Sequence, residues 1–160
     1  MKFVDKSLIK DLVEKAKESP RKRAHHNLHP ELDDPVQRLC VAANEGAYIR
    51  PHRHAEPYKW EMFIIVQGTA SILFFDDTGV VTERRELDAY AGGFVVEIPP
   101  QTWHTLVITS PETVLMEIKP GPYSPLDDKD FASWAPEEHS SDAAHFENKL
   151  RTVKIGKGVA

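Results

Sequence analysis

The chain has 160 residues, of which 41% are hydrophobic, and this length predicts one compact domain with its own core. The formal net charge of −5 argues against a general nucleic-acid binder, because such proteins present an excess of basic side chains. A single cysteine, Cys40, allows no disulfide within the chain, and no apolar run is long enough for a membrane span. With no apolar leader at its start, the sequence predicts a cytoplasmic protein without membrane or nucleic-acid partners.

The first predicted element is an amphipathic helix. Residues 5–18 carry apolar side chains at helical spacing, and Pro20 follows as a stop signal. The basic run Arg21–Arg23 is interpreted as a solvated turn. The segment after it contains His25 and His29, and it is interpreted as a loop that either caps backbone groups or covers a binding site.

A strand-rich region begins at Val36. Short apolar or alternating runs recur about eight times between turn residues, a pattern typical of a sandwich or barrel of short strands. The turn Asp76–Gly79 between two of these runs predicts a hairpin. The sequence therefore divides into a helix and lead-in segment at 1–35 and a barrel at 36–119.

The remaining residues, 120–160, are rich in proline, aspartate and serine. Four prolines argue against a regular strand or a long helix here: Pro120, Pro122, Pro125 and Pro136. Three aromatic side chains can fix the segment over the barrel as an irregular wrap: Tyr123, Phe131 and Trp134. From about residue 140 onward we expect frayed chain.

Three histidines and one carboxylate are candidate metal ligands. His52 and His54 have the same parity, so on a strand they share a face, whereas Glu61 and His104 come from later runs. Imidazole nitrogens with a carboxylate oxygen suit one divalent transition metal, and zinc, iron, manganese and nickel all fit. The alternative is a buried, hydrogen-bonded histidine cluster without an ion.

Neighbouring polar residues are candidate catalytic groups. Tyr48 and Arg50 share the parity of the first two histidines, and Lys59 shares that of Glu61. This pattern indicates that Arg50 and Lys59 orient an anionic or sugar-like ligand and that Tyr48 moves a proton. The alternatives are surface charges and ordinary barrel packing. Glu117 is a weaker candidate acid–base group, because the sequence leaves its facing open.

The spacing of these residues resembles the two motifs of the cupin superfamily. The first motif is matched by Gly46, His52, His54, Glu61 and Gly68, and the second by Gly93, Pro99 and His104. The two motifs together are a more specific signal than either alone. The resemblance implies an all-β fold: a double-stranded β-helix, or small jelly-roll barrel, with a metal near its mouth.

The motifs are matched with two departures. The gap from His54 to Glu61 is longer than usual, which leaves Glu56 as an alternative ligand, although only Glu61 keeps a six-residue step to a glycine. In the second motif Gln101 stands where a glycine is usual, and Ile108 stands where an asparagine is usual. These departures weaken the match of the turns more than the match of the ligands.

From about residue 20 to residue 136 the sequence is similar to the WbuC-type cupin metalloproteins. The likeness lies in HNLHPELDDPVQRL, IRPHRH, KWEMF, IPPQTWHTLV and KPGPYSPLDDKDFASWAP. That family is associated with bacterial surface-polysaccharide genes. The resemblance implies a fold, a metal and a homodimer, but no particular reaction. We expect a metal-dependent enzyme acting on a small polar metabolite such as a sugar or sugar nucleotide, and isomerase or epimerase chemistry fits the polysaccharide association. An Fe(II) dioxygenase and a non-catalytic module that binds a sugar or acid through its metal are the alternatives.

Overall fold

In the computed structural model, which describes residues 1–124 and 129–159, two helices accompany ten strands. In chain order the elements are α1 (Lys6–Glu18), β1 (Arg23–Asn27), β2 (Val36–Ala43), β3 (His52–Arg53), β4 (Glu61–Gln67), β5 (Thr69–Phe75), β6 (Val81–Asp88), β7 (Val95–Ile98), β8 (Trp103–Ile108), β9 (Thr113–Pro120), β10 (Asp130–Phe131) and α2 (Ala143–Thr152). Within the described ranges, neither helix combines the length and the apolar content that crossing a bilayer would need.

The strands form two five-stranded antiparallel sheets. Sheet A has the order β1-β2-β9-β4-β7, and sheet B has the order β10-β3-β8-β5-β6. Along β4, buried Glu61, Phe63 and Ile65 alternate with less buried neighbours, so the odd-numbered residues face the interior. Apolar residues from both sheets pack there as the barrel core, among them Ile72, Phe74, Leu106, Ile108 and Leu115. The architecture confirms the predicted all-β cupin jelly roll.

Helix α1 covers part of the outer face of sheet A. The Asp5 side chain caps its start by accepting a hydrogen bond from the Leu8 amide at 2.9 Å. The apolar stripe of the helix packs on residues of β2 and β9, and this cluster contains Leu12, Val13, Ala16, Cys40, Ala42 and Val114. The N-terminal helix is therefore confirmed, and Cys40 is a buried apolar contact.

The C-terminal segment covers the outer face of sheet B. The Trp134 ring packs against Phe75 at a tilt of 53°, with ring centroids 5.1 Å apart, which fits the predicted wrap. The expectation of frayed chain beyond residue 140 is wrong, because α2 buries Phe146 and Leu150 against this sheet. Pro120 ends β9 rather than opening an irregular stretch, and Pro125 lies outside the described residues.

Two other local expectations are corrected by the structure. Arg23 and His25 belong to edge strand β1, not to a turn and loop, because this segment pairs with β2 along its whole length. Residues 47–51 are not a strand, so strand parity does not determine where their side chains point. The ten strands of the described residues also exceed the eight runs recognised in the sequence.

Candidate metal centre

Four buried side chains meet where the two sheets face each other. His52 and His54 come from β3 and the residue after it, Glu61 opens β4, and His104 lies on β8. Each of the four is at most 3% exposed. One ligand atom from each residue lies within 4.8 Å of those of the other three, which is the clustering that a shared ion requires.

Strand pairing brings the ligands together. His52 and His104 are directly opposite in the β3–β8 ladder, and their ring centroids are 4.5 Å apart. Glu61 approaches from sheet A, with its Oε2 atom 2.9 Å from His104 Nε2 and 3.5 Å from His54 Nε2. An ion held by these residues would therefore have ligands from both sheets.

Backbone carbonyls orient two of the imidazole rings. Nδ1 of His52 lies 3.0 Å from the Arg50 carbonyl oxygen, and Nδ1 of His104 lies 2.8 Å from the Thr102 carbonyl oxygen. Because a carbonyl oxygen only accepts, each Nδ1 carries the hydrogen, and a neutral ring then presents the Nε2 lone pair to the cluster. This is the arrangement that supports histidine ligands in metal sites.

The polar atoms of the cluster fit a cation. Both nitrogens of His104 face acceptors, the Thr102 carbonyl and the Glu61 carboxylate, so the ring needs either a second proton or a cation at Nε2. Nε2 of His52 is buried and has no hydrogen-bond partner among the described residues. A buried nitrogen in that state is costly, and a metal ion would satisfy it.

The charges of the site also favour metal binding. Burial alone would raise the pKa of Glu61, but hydrogen bonds from His104 and His54 and the nearby Lys119 ammonium lower that pKa well below its usual range. Burial, together with the charge of Lys129, lowers the pKa of His52 well below its usual value. A carboxylate beside a neutral imidazole is the protonation state that a metal requires.

The cluster opens into two adjoining cavities. An inner cavity of about 90 Å³ contacts His52, Glu61 and His104 and is walled by apolar side chains such as Phe63. An outer cavity of about 280 Å³ lies beneath the edge strand β1. The two share four lining residues: Arg23, Val41, Glu117 and Lys129. A small molecule could therefore extend from the candidate metal position to the edge of the barrel.

The structure does not bring the three predicted catalytic residues to this space. Tyr48 packs among the residues beneath the C-terminal segment, and its hydroxyl donates to the Pro136 carbonyl at 2.9 Å. Arg50 donates to the Ala132 carbonyl at 3.1 Å, and buried Lys59 donates to the Pro122 carbonyl at 3.0 Å. None of the three lines either cavity among the described residues.

Lys119 is a cavity residue that the sequence reasoning missed. Its Nζ lies 3.2 Å from Glu117 and 4.0 Å from Glu61, and it is only 4% exposed. Glu117 itself is on the inner face, paired across the ladder with Phe63. The alternation of Leu115, Glu117 and Lys119 along one strand was the available signal.

Two departures from the motifs, the replacement of glycine by Gln101 and the longer gap before Glu61, have local explanations. Gln101 adopts a φ of 62°, the left-handed backbone that a glycine would favour. Its amide donates to the His54 carbonyl, and its side chain donates to the Ala55 carbonyl, each at 2.9 Å. Glu56 is exposed, whereas Glu61 is 1% exposed within the cluster. The longer gap thus does not change which carboxylate faces the histidines.

Comparison with known families gives one match. The model described as "Domain of unknown function (DUF6016)" matches residues 4–87, which is more than half of the chain. The chain belongs to the DUF6016 family. No curated protein matches it.

Solved structures resemble this DUF6016 protein in fold. KdgF from Halomonas sp. is 21% identical with a TM-score of 0.50, over 66% of this chain and 84% of that one. CapF bound to an inhibitor is 20% identical with a TM-score of 0.54, over 67% of this chain and 31% of CapF. Oxalate oxidase with the substrate analogue glycolate is 18% identical with a TM-score of 0.52, over 71% and 56%. At these identities the three likenesses show a shared fold alone.

Proposed function

We propose that this protein is a metal-dependent enzyme that acts on a small, polar, anionic metabolite such as a sugar or sugar nucleotide. The observation that carries the proposal is the buried set of three imidazoles and one carboxylate within 4.8 Å, which opens into a cavity. A structural ion would normally be enclosed by its protein ligands, whereas this set borders space that a substrate can enter.

The residues of the centre have separable roles in this proposal. His52, His54, Glu61 and His104 would hold a divalent transition metal, which supplies Lewis-acid polarisation of a substrate oxygen when bound. The Arg50 and Thr102 carbonyls keep two imidazole nitrogens aimed at the centre. The apolar wall of the inner cavity limits water beside the reacting atoms.

We propose that residues other than Arg50 and Lys59 orient the ligand. Both side chains bind backbone carbonyls, and Tyr48 is directed to Pro136, so their contribution is to position the chain around the site. Lys119, beside Glu61 and Glu117, is suitably placed to contact a ligand at the centre.

The cellular context is proposed from the resemblance to WbuC-type cupins, whose genes accompany surface-polysaccharide synthesis. One solved structure with this fold is the capsular polysaccharide assembling protein CapF from Staphylococcus aureus, at 20% identity and a TM-score of 0.52. A cytoplasmic homodimer belongs to the same proposal. The outer face of β4 supports a dimer, because Met62, Ile64 and Val66 are only partly covered there.

Metal analysis of protein purified without added metal tests the proposal. We expect about one transition-metal ion per chain, and a large loss of metal in His52→Ala. The control His139→Ala removes an exposed histidine and should leave the metal content unchanged. Absence of stoichiometric metal from the unmodified protein, or equal metal in the two variants, would contradict the proposal.

Turnover assays on the metal-loaded protein then separate the reaction classes. Conversion of sugar nucleotides without oxygen uptake supports isomerase or epimerase chemistry. Iron with substrate-dependent oxygen uptake supports the dioxygenase alternative. Tight binding of a sugar or acid without any turnover supports the non-catalytic module and overturns the enzyme assignment.

A further inference from the structure

The outer cavity under β1 has a charge opposite to that of the whole chain. Among the described residues that line the outer or the inner cavity, four are cationic and two are anionic: Arg21, Arg23, Lys119 and Lys129 against Glu61 and Glu117. The chain as a whole carries −5. Glu138 pairs with Arg21 and Arg23 outside the two cavities, and within the described ranges the cations remain in excess when Glu138 is counted. A bound divalent ion would increase this excess.

Within this group Lys129 has the most central position. It lines both cavities, and in the inner cavity it shares the lining with His52, Glu61 and His104 of the candidate metal centre. His25 lies on the inward face of β1, opposite Val41 in the ladder. Burial lowers the pKa of His25, and Glu117 opposes that effect.

Asn27 supplies a second, independent observation. It lies on the same inward face of β1, two residues beyond His25, and it lines the outer cavity. Its Oδ1 atom is buried and has no hydrogen-bond partner in the described part of the chain. A buried amide oxygen without a donor is costly, and a hydroxyl group in the cavity would satisfy it.

We propose that the outer cavity binds the anionic end of a polyhydroxylated small molecule. Lys129 and His25 contact its carboxylate or phosphate, Arg23 adds to the field, and Asn27 accepts a hydrogen bond from a hydroxyl group. The inference rests on the proposed function, because the remainder of the molecule then extends into the inner cavity toward the histidines. In this proposal the residues of β1 and Lys129, rather than Arg50 and Lys59, determine which class of substrate binds.

Calorimetric titration of the metal-loaded protein with four probes tests this inference: glucose, gluconate, glucose 6-phosphate and inorganic phosphate. We expect gluconate or glucose 6-phosphate to bind at least about tenfold more tightly than glucose, since charge-assisted contacts are the stronger ones. Preference for gluconate identifies a carboxylate ligand, and preference for glucose 6-phosphate identifies a phosphate ligand. Equal binding of glucose and both sugar anions would overturn the inference.

Matched variants locate the anion and hydroxyl contacts. Lys129→Gln should weaken the preferred sugar anion by about tenfold, while Lys10→Gln, an exposed lysine on α1, should not change its binding. Asn27→Ala should weaken the sugar anion and leave inorganic phosphate unaffected. Unchanged binding in Lys129→Gln, or equal losses for both ligands in Asn27→Ala, would contradict the assigned contacts.

Metal content distinguishes failure of this inference from failure of the proposed function. Lys129→Gln and Asn27→Ala should retain the metal content of the unmodified protein, because neither residue belongs to the ligand set. A protein that holds its metal but does not prefer sugar anions refutes the anion site alone. A protein that binds sugar anions equally well with and without metal supports the anion site and counts against the metal-dependent function.

Discussion

The barrel interior has a polar half, which contains the four candidate metal ligands, and an apolar half, which contains the hydrophobic core. The same strands contribute to both halves. The inward residues of β4 change from Glu61 to Ile65, and those of β8 change from His104 to Ile108. One half stabilises the fold by removing apolar surface from water. The other half buries ionisable groups, which is unfavourable until partners or an ion satisfy them. Alternation along a strand therefore determines whether a side chain faces the interior. The position of the residue along the strand determines whether that side chain lies in the polar half or in the apolar half.

Truncation in the apolar half should give the largest loss of stability. Ile72 is fully buried in the barrel core and lines neither of the two cavities. We expect Ile72→Ala to lower the free energy of unfolding by about 2–5 kcal/mol through lost burial and a residual cavity. Denaturant titration measures this loss. Ile155→Ala, at a 60% exposed position, should change stability by less than about 0.5 kcal/mol. A loss of metal stoichiometry in the folded Ile72→Ala protein would show that the halves are not separable.

Added metal should stabilise the folded protein by binding to the candidate ligands of the polar half alone. At free metal of about 100 to 1,000 times Kd, the free energy of unfolding should rise by about 3–4 kcal/mol, because the ion binds only the folded chain. Denaturant titration before and after chelation measures the increment. His104→Ala should abolish it, and Ile72→Ala should keep it in full. An increment that survives in His104→Ala would place the ion elsewhere.

Glu138 forms ion pairs with Arg21 and Arg23, which line the outer cavity. These ion pairs should make a smaller, acid-sensitive contribution to the free energy of unfolding. Burial would raise the pKa of Glu138, but Arg21 and Arg23 lower it below the ordinary 4.5. Because the folded-state pKa is depressed, this contribution is complete above about pH 4.5 and is lost as the pH falls through the folded-state value. We expect Glu138→Gln to cost about 1 kcal/mol at pH 7.

Denaturant titration as a function of pH checks this effect. The difference between the unmodified protein and Glu138→Gln should shrink as the pH falls below about 4.5. Glu56→Gln, at an exposed position, should show little difference at either pH. A Glu138→Gln difference that is constant with pH would mean that the contribution is packing, not charge.

The sequence predicted the barrel and the four candidate ligands that cluster in it because both depend on local patterns. Alternation along β4 places Glu61 inward, and His104 follows the turn after a proline pair. Tyr48 was misplaced because parity applies only within a strand, and residues 47–51 are not one. Gln101 shows why a motif departure can be harmless, since its backbone takes the conformation for which the usual glycine is suited.

The contribution of β1 and α2 could not be predicted in the same way. β1 is an edge strand whose inward residues, His25 and Asn27, face a polar cavity, so it lacks the apolar alternation of a core strand. Its assignment depends on pairing with β2, which is a tertiary contact. For α2 the four-residue spacing of Phe146 and Leu150 is typical of a helix. The prolines and serines before it favoured irregular chain instead, so the helix was not predicted.

A strand of only two residues carries His52, and its neighbours on both sides come from distant parts of the chain. It pairs with His104 of β8 on one side and with Phe131 of β10 on the other. An ion held by His52, His104 and Glu61 would tie sheet B to sheet A much as a disulfide cross-links the two layers of an immunoglobulin domain. In a chain with one cysteine, that cross-link would be reversible and controlled by metal supply rather than by redox state.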